Sequence, residues 1–426
     1  MKTVSGNIVD IINKRIFKGT LHIEHGKIAK ITQGPVTEDQ YILPGLIDAH
    51  IHIESSMLAP SEFARLAVVH GTVATVSDPH EIANVLGVKG IQFMIQNGEQ
   101  VPFKFYFGAS SCVPATSFET SGANLGVEEL DRLLQSNDIK YLSEMMNFPG
   151  VLFNDAEVMA KIDLAKKYHK PVDGHAPGLM GDDAKKYIEA GITTDHECFT
   201  LEEALNKVKY GMKIQIREGS AAKNFDALIP LVETHPDMIM FCSDDRHPND
   251  LVSEHINGHV TRAIRNGYDL FDILRAATLN PVRHYDLDVG LLQEGDDADF
   301  ILVNNLKDFT IEATFIKGEK VSEQGKTLIP GIDFTVHNVF NIDRILPADL
   351  QIKAEGTQIN VIQALDGQLI TKNIPVRISV ENGNVQSMPE HDILKMVVLN
   401  RYRKASPAIG FVNGFGLKQG AIASSI

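Results

Sequence analysis

Between residues 41 and 241 the chain alternates short apolar runs with stretches of helical spacing. The runs fall at 42–47, 73–77, 103–107, 139–142, 171–174, 192–194, 212–216 and 238–241, and helix-like segments lie between them at 61–70, 156–169, 181–190, 201–209 and 225–234. Strands covered on both faces read as near-continuous apolar runs, and their alternation with helices implies parallel pairing through crossovers. Eight such units predict an α/β fold, a closed (β/α)8 TIM-like barrel over residues 41–284, with a last helix near 270–278.

The flanks read differently. Gly6-Asn7-Ile8-Val9-Asp10, Gly19-Thr20-Leu21-His22-Ile23-Glu24 and Gly26-Lys27-Ile28-Ala29-Lys30-Ile31 are β-like pieces separated by turn residues. Similar pieces return at 299–303, 311–316 and 318–321. Residues 1–40 and 285–340 are therefore expected to form one small flanking β-sandwich domain, built from both ends of the barrel segment. Residues 345–426 read as a partial C-terminal α+β domain, with β-like pieces at 350–354 and 374–380. Its apolar, Gly-rich segment at 410–420 would expose an edge and an apolar face that need cover. That predicts a chain truncated relative to its relatives, ending at Ala421-Ile422-Ala423-Ser424-Ser425-Ile426.

A formal charge of −15 over 426 residues argues against nucleic-acid binding and against adhesion to anionic membranes. No apolar run reaches about 18 residues, and the N-terminus lacks a signal-peptide pattern. Cys112, Cys198 and Cys242 are few, odd in number and far apart, so neither a disulfide framework nor a Cys-based zinc site is implied. The expectation is a cytoplasmic, reduced protein with cysteines that serve packing.

Barrels of this kind carry their chemistry at the C-terminal ends of the strands. The first run ends in Pro44-Gly45-Leu46-Ile47-Asp48-Ala49-His50-Ile51-His52. On a strand, residues i and i+2 share a face, so His50 and His52 can reach one ion; helical spacing would set them about 200° apart. The second run ends in Ser77-Asp78-Pro79-His80-Glu81, the fourth brings Glu144, the fifth His175, the sixth Asp195-His196-Glu197, and the eighth Ser243-Asp244-Asp245-Arg246-His247. Alone, His175 or His196 reads as a hydrogen-bonded core histidine, Glu144 as a helix N-terminal acid, and Asp244 or Asp245 as a helix cap. Six metal-capable groups on five strand ends read instead as a metal site for zinc, manganese or iron. His80 and Glu81 fit either a substrate shell or a polar turn. Arg217 and Glu218 fit either a substrate contact or an ion pair.

These residues resemble the amidohydrolase superfamily. The longer stretches His52-Ile53-Glu54-Ser55-Ser56-Met57, Ser77–Val85, Glu144-Met145-Met146-Asn147-Phe148-Pro149-Gly150-Val151, Asp173–Leu179 and Phe241–Pro248 resemble its bacterial, metal-dependent adenine deaminase family. That resemblance runs from about residue 5 to the end of the chain. It implies two divalent transition-metal ions, iron or manganese, with zinc compatible with the ligand types. His50, His52 and Asp244 would hold the first ion, His175 and His196 the second, and Glu144 would bridge them. It also implies hydrolysis of adenine to hypoxanthine and ammonia, with Asp244 and Glu144 as the proton-moving catalytic carboxylates and His196 or His247 as helpers. Asp245, His80, Glu81 and His247 are candidate substrate contacts, and a homodimer is expected. A hydrolase of cyclic amides or N-acetyl sugars is the alternative within the superfamily. A truncated chain that holds metal but turns over poorly is the alternative outside it.

Overall fold

The computed structural model describes residues 1–116, 118–366 and 370–424; the last two residues of the expected truncation, Ser425 and Ile426, lie outside these. The chain divides into two compact units. One comprises residues 1–119 and 123–335, the other Thr120–Gly122 and the chain from Val336 onward, ahead of the expected start at 345.

The first unit holds eight parallel barrel strands: Leu46–His52, Thr72–Ser77, Lys104–Ala109, Ile139–Met145, Val172–Gly174, Thr194–Asp195, Lys213–Arg217 and Ile239–Cys242. Parallel ladders join the first five and the last three. A parallel bridge between Val172 and Ile192 links the two sets. Closure comes from Asp244–Asp245, which pairs in parallel with the first strand, Asp244 opposite Ile51 and Asp245 opposite His52. The buried Asp48 carboxylate reinforces the seam by accepting the Ser243 N–H at 3.0 Å and the Ser243 hydroxyl.

Helices cover the outside because their apolar stripes match the strands' outer faces. In Pro60–Ala67 the stripe is Phe63, Ala64 and Ala67; in Val127–Gln135 it is Leu130, Leu133 and Leu134. Side-chain caps start several helices: Asp155 accepts the N–H groups of Glu157 and Val158, and Thr200 accepts that of Glu203. The helix expected over 225–234 is two short pieces, Phe225–Leu228 and Leu231–Thr234. Pro230 lies between them and has no N–H to continue the ladder.

The run at 42–47 is also two elements. Tyr41–Pro44 joins the flanking sheet, between Phe300–Val303 and Lys2–Asp10, and the barrel strand starts at Leu46. Both halves are buried, so hydropathy could not divide them. The chain crosses at Gly45, where a Cβ would stand 2.4 Å from a Val73 methyl carbon. The flanking part is one continuous eight-stranded sheet, in the order Lys326–Thr327, Glu319–Glu323, Ile311–Ile316, Phe300–Val303, Tyr41–Pro44, Lys2–Asp10, Arg15–Glu24, Lys27–Gln33, rather than two separate stacked sheets. Its strands share one core that includes Ile8, Leu21, Ile28, Ile42, Phe300 and Phe315.

The second unit departs from the α+β expectation: among its described residues only strands and short 3-10 turns occur. Its four-stranded sheet runs Thr371–Arg377, Gln358–Ala364, Ala408–Asn413, Leu394–Val398. Residues 410–413 of the Gly-rich segment therefore lie in an inner strand with neighbours on both sides, while the rest of the segment follows it outside the sheet. No helix among the described residues is long and apolar enough to cross a membrane.

Candidate metal centre and active site

The C-terminal ends of the barrel strands bring all six expected ligands to one buried cluster. His50 Nε2 and His52 Nε2 are 3.2 Å apart, and lie 3.7 and 3.2 Å from Asp244 Oδ1. Glu144 sits across from them. Its Oε1 is 3.4 Å from His52 Nε2, and its Oε2 is 2.8 Å from His175 Nδ1 and 3.2 Å from His196 Nε2. Ligand atoms sort into three overlapping groups: His50, His196 and Asp244; Glu144, His175 and His196; and His52, Asp78, His80 and Glu144. Glu144 and His196 are each shared by two of them.

Local structure aims these side chains. The strand period turns His50 and His52 inward together. Asp244 is held in the left-handed region at φ 55°, a conformation that costs a non-glycine residue free energy and turns its carboxylate toward the first strand. The Tyr187 hydroxyl accepts the His175 N–H at 3.0 Å and donates to the Met145 carbonyl at 2.7 Å, so the ends of the fourth and fifth strands are tied together. At Gly174 a Cβ would lie 2.3 Å from the Thr194 carbonyl oxygen, so the fifth and sixth strands approach only because glycine is there.

The electrostatics call for cations. Burial would raise the Glu144 carboxyl, but the charge and hydrogen bond of His175, with hydrogen bonds from His196 and His52, hold it well below the usual range. Burial likewise opposes the hydrogen bonds of His50 and His52 that keep Asp244 well below its ordinary value. Burial would lower His80, yet the carboxylates of Glu81 and Asp78 push it up to about 10. Glu144, Asp244, Glu197, Asp78 and Glu81 thus converge, and among the described residues the fixed cation meeting them is the Arg217 guanidinium, on Glu197 and Asp244. Imidazole nitrogens and carboxylate oxygens this close to one another fit divalent ions.

Asp245 is half-buried beside the cluster and accepts the Ser55 hydroxyl at 2.5 Å. His80 and Glu81 join the cluster's edge, 3.3 Å from Glu144 Oε1 and 3.4 Å from His52 Nδ1 respectively. His247 does not: it is exposed where helix Pro248–Ser253 begins, its backbone N–H donating to Ser220 Oγ. Arg217 is a buried ion-pair residue, and Glu218 pairs with Arg262 at 3.2 Å. All three cysteines are buried, and burial raises the Cys198 and Cys242 thiols, as packing residues require.

Several site residues escaped sequence reasoning. Asp78 lies in the second-strand motif and shares a ligand group with His52, His80 and Glu144. Glu54, desolvated beside the charge of Glu81, has its carboxyl pushed up to about 8. Asp48, whose Oδ2 is 2.8 Å from His255 Nε2, had a visible signal: a carboxylate inside an apolar run destined for burial. Tyr187 and Lys207 had none, because each is one polar residue among many on a helix.

Fold and site together define an amidohydrolase, and the amidohydrolase family pattern matches residues 41–321. The adenine deaminase C-terminal domain pattern matches residues 368–426. The chain belongs to the adenine deaminase family. It is 57% identical over 423 residues to an adenine deaminase of Sulfurovum sp., spanning 99% of this chain and 78% of that protein. The adenine deaminase of Methanosarcina mazei is 53% identical, with 100% and 79% covered. Among solved structures, a beta-aspartyl dipeptidase from Fervidobacterium islandicum superposes with a TM-score of 0.56 at 18% identity, over 78% of this chain and 100% of that one. Atrazine chlorohydrolase from Arthrobacter aurescens gives 0.58 at 14% identity, over 77% and 96%. These two likenesses concern the fold. Family membership implies a divalent metal centre, and the cluster above is where this chain can hold one.

Proposed function

We propose that this chain hydrolyses adenine to hypoxanthine and ammonia. The observation that carries the reading is the convergence of His50, His52, Glu144, His175, His196 and Asp244 at the barrel mouth, in a chain about half identical to named adenine deaminases.

In this reading His50, His52 and Asp244 hold one ion, His175 and His196 the other, and Glu144 reaches both. Manganese or iron is the proposed metal. When bound, the ions supply Lewis acidity that lowers the pKa of water from 15.7 toward ~7. The protein's own groups manage protons and orientation. Hydrolysis forms a C6–O bond, breaks the C6–N bond, and moves water's two protons to a ring nitrogen and to the departing amine. Asp244 and Glu144, whose carboxylates face the centre of the cluster, are the proposed groups that take a proton from the attacking water and pass it on. Such transfers are worth ~10²–10⁴-fold in rate. Asp245, fixed by Ser55, is the proposed hydrogen-bond partner for the imidazole edge of the purine, and His80 and Glu81, 3.5 Å from each other, are the further proposed substrate contacts. The same reading has the protein act as a cytoplasmic homodimer.

The test is release of ammonia from adenine after loading with Mn²⁺ or Fe²⁺. Stoichiometric ammonia and hypoxanthine support the assignment. Inertness toward adenine together with ring opening of a dihydropyrimidine would replace it with the cyclic-amide reading.

A further inference from the structure

Behind the cluster lies a second group of ligand-type side chains, Asp195, Cys198 and Glu203, all buried. It resembles a cation site, but a cation of the chain's own fills it. Lys207 Nζ donates to Asp195 Oδ2 at 2.6 Å, to Glu203 Oε1 at 2.7 Å and to the Ala176 carbonyl at 2.7 Å. An ammonium has three protons, and all three are used.

The three acceptors sit where they bear on the metal centre. Ala176 follows His175 in the chain, and Asp195 precedes His196. Glu203 extends the grip: its Oε1 also accepts the Gly178 N–H at 2.8 Å, and its Oε2 accepts the Phe199 N–H at 3.1 Å. Glu203 and Lys207 project from one face of helix Leu201–Val208 because they are four residues apart. One helical face therefore binds both the loop after the fifth strand and the loop after the sixth.

We propose that Lys207, with Glu203, is a positioning residue that sets the separation of His175 and His196 and so the affinity for one ion of the pair. The proposal rests on the reading that these two imidazoles hold an ion. Lys207 acts through the backbone on either side of the ligands, and touches no reacting atom.

The experiment is calorimetric titration of metal-free protein with Mn²⁺. Wild type should bind two equivalents. Lys207→Met should keep one binding event at wild-type affinity and weaken the other by about 10–100-fold, the range for partners that orient ligands. Glu203→Gln is the milder variant: it keeps the Lys207–Asp195 pair but turns an amide donor toward the Phe199 N–H, and should weaken the same event. Glu203→Gln decides the matter if Lys207→Met does not fold. Lys104→Met removes a comparable lysine, bonded to Asp297 at 2.8 Å and Asp299 at 2.6 Å, and should leave both events unchanged. Wild-type affinity for both ions in Glu203→Gln, or equal weakening in Lys104→Met, would overturn the proposal. Fewer than two equivalents in wild type would instead overturn the two-ion reading beneath it.

Discussion

Arg217 donates a guanidinium N–H to Asp244 deep in the barrel mouth, joining the end of the seventh strand to the residue that closes the barrel. The same guanidinium meets Glu197 through two N–H groups, so two buried carboxylates share one cation. Removing one partner of such a buried set leaves charge uncompensated, at a cost of about 3–5 kcal/mol. We expect Arg217→Met to lower the stability of metal-free protein by that amount, read as a fall in the urea midpoint at constant slope. A loss under about 1 kcal/mol would mean that the two carboxylates find other counter-charges.

Asp244→Asn and Glu144→Gln preserve shape and remove proton acceptance. Each should lower turnover of adenine by ~10²–10⁴-fold, with kcat and kcat/KM falling together. The ammonia assay on Mn²⁺-loaded variants measures this. Either variant at full activity would remove its residue from the proposed chemistry.

Two histidines away from the ligand set are kept neutral. Burial, then the charges of His255 and Arg246, pulls His70 down to about 4; burial and Arg246 outweigh Asp48 and pull His259 down to about 3. Their ordinary value is about 6.5. Below that pH the unfolded chain takes up protons that the folded protein refuses. The stabilisation is therefore complete above about 6.5 and declines as pH falls toward the folded values. His259 Nε2 also bonds the Cys242 carbonyl at 3.0 Å, a bond a glutamine amide can replace. His259→Gln should show a shallower loss of urea midpoint than wild type between about pH 7 and 5, both metal-free. Parallel pH profiles would refute the assignment.

Gly174→Ala places a carbon where the Thr194 carbonyl stands. The fifth and sixth strands must part, at about 1–3 kcal/mol. Thermal unfolding should reveal that loss. Because His175 is the next residue, Mn²⁺ affinity should fall too. An alanine variant with wild-type melting temperature would contradict the close approach.

The alternation of apolar runs and helical stretches made the barrel legible, since each strand covered on both faces leaves an unbroken apolar signature. The six clustered side chains were legible for a related reason: imidazoles and carboxylates that terminate such runs have no apolar role. What stayed hidden depended on tertiary geometry. The run 42–47 is apolar on both sides of Gly45, so only that glycine marks the change of sheet. Tyr187 and Lys207 act from helix faces, where a polar residue ordinarily meets water and carries no period of its own. The inner position of Ala408–Asn413 came from a parallel pairing with Gln358–Ala364, a long-range choice that local pattern does not encode.

His50 and Asp244 lie 3.7 Å apart in space and at opposite ends of the barrel's chain. Synthesis proceeds from the N-terminus, so the histidine pair leaves the ribosome well before the aspartate exists. Until then His50 and His52 stand without the carboxylate that the closed barrel sets beside them. The cluster is complete only when the chain after the eighth strand docks on the first one. The site is therefore a property of the closed barrel and of no shorter stretch of chain.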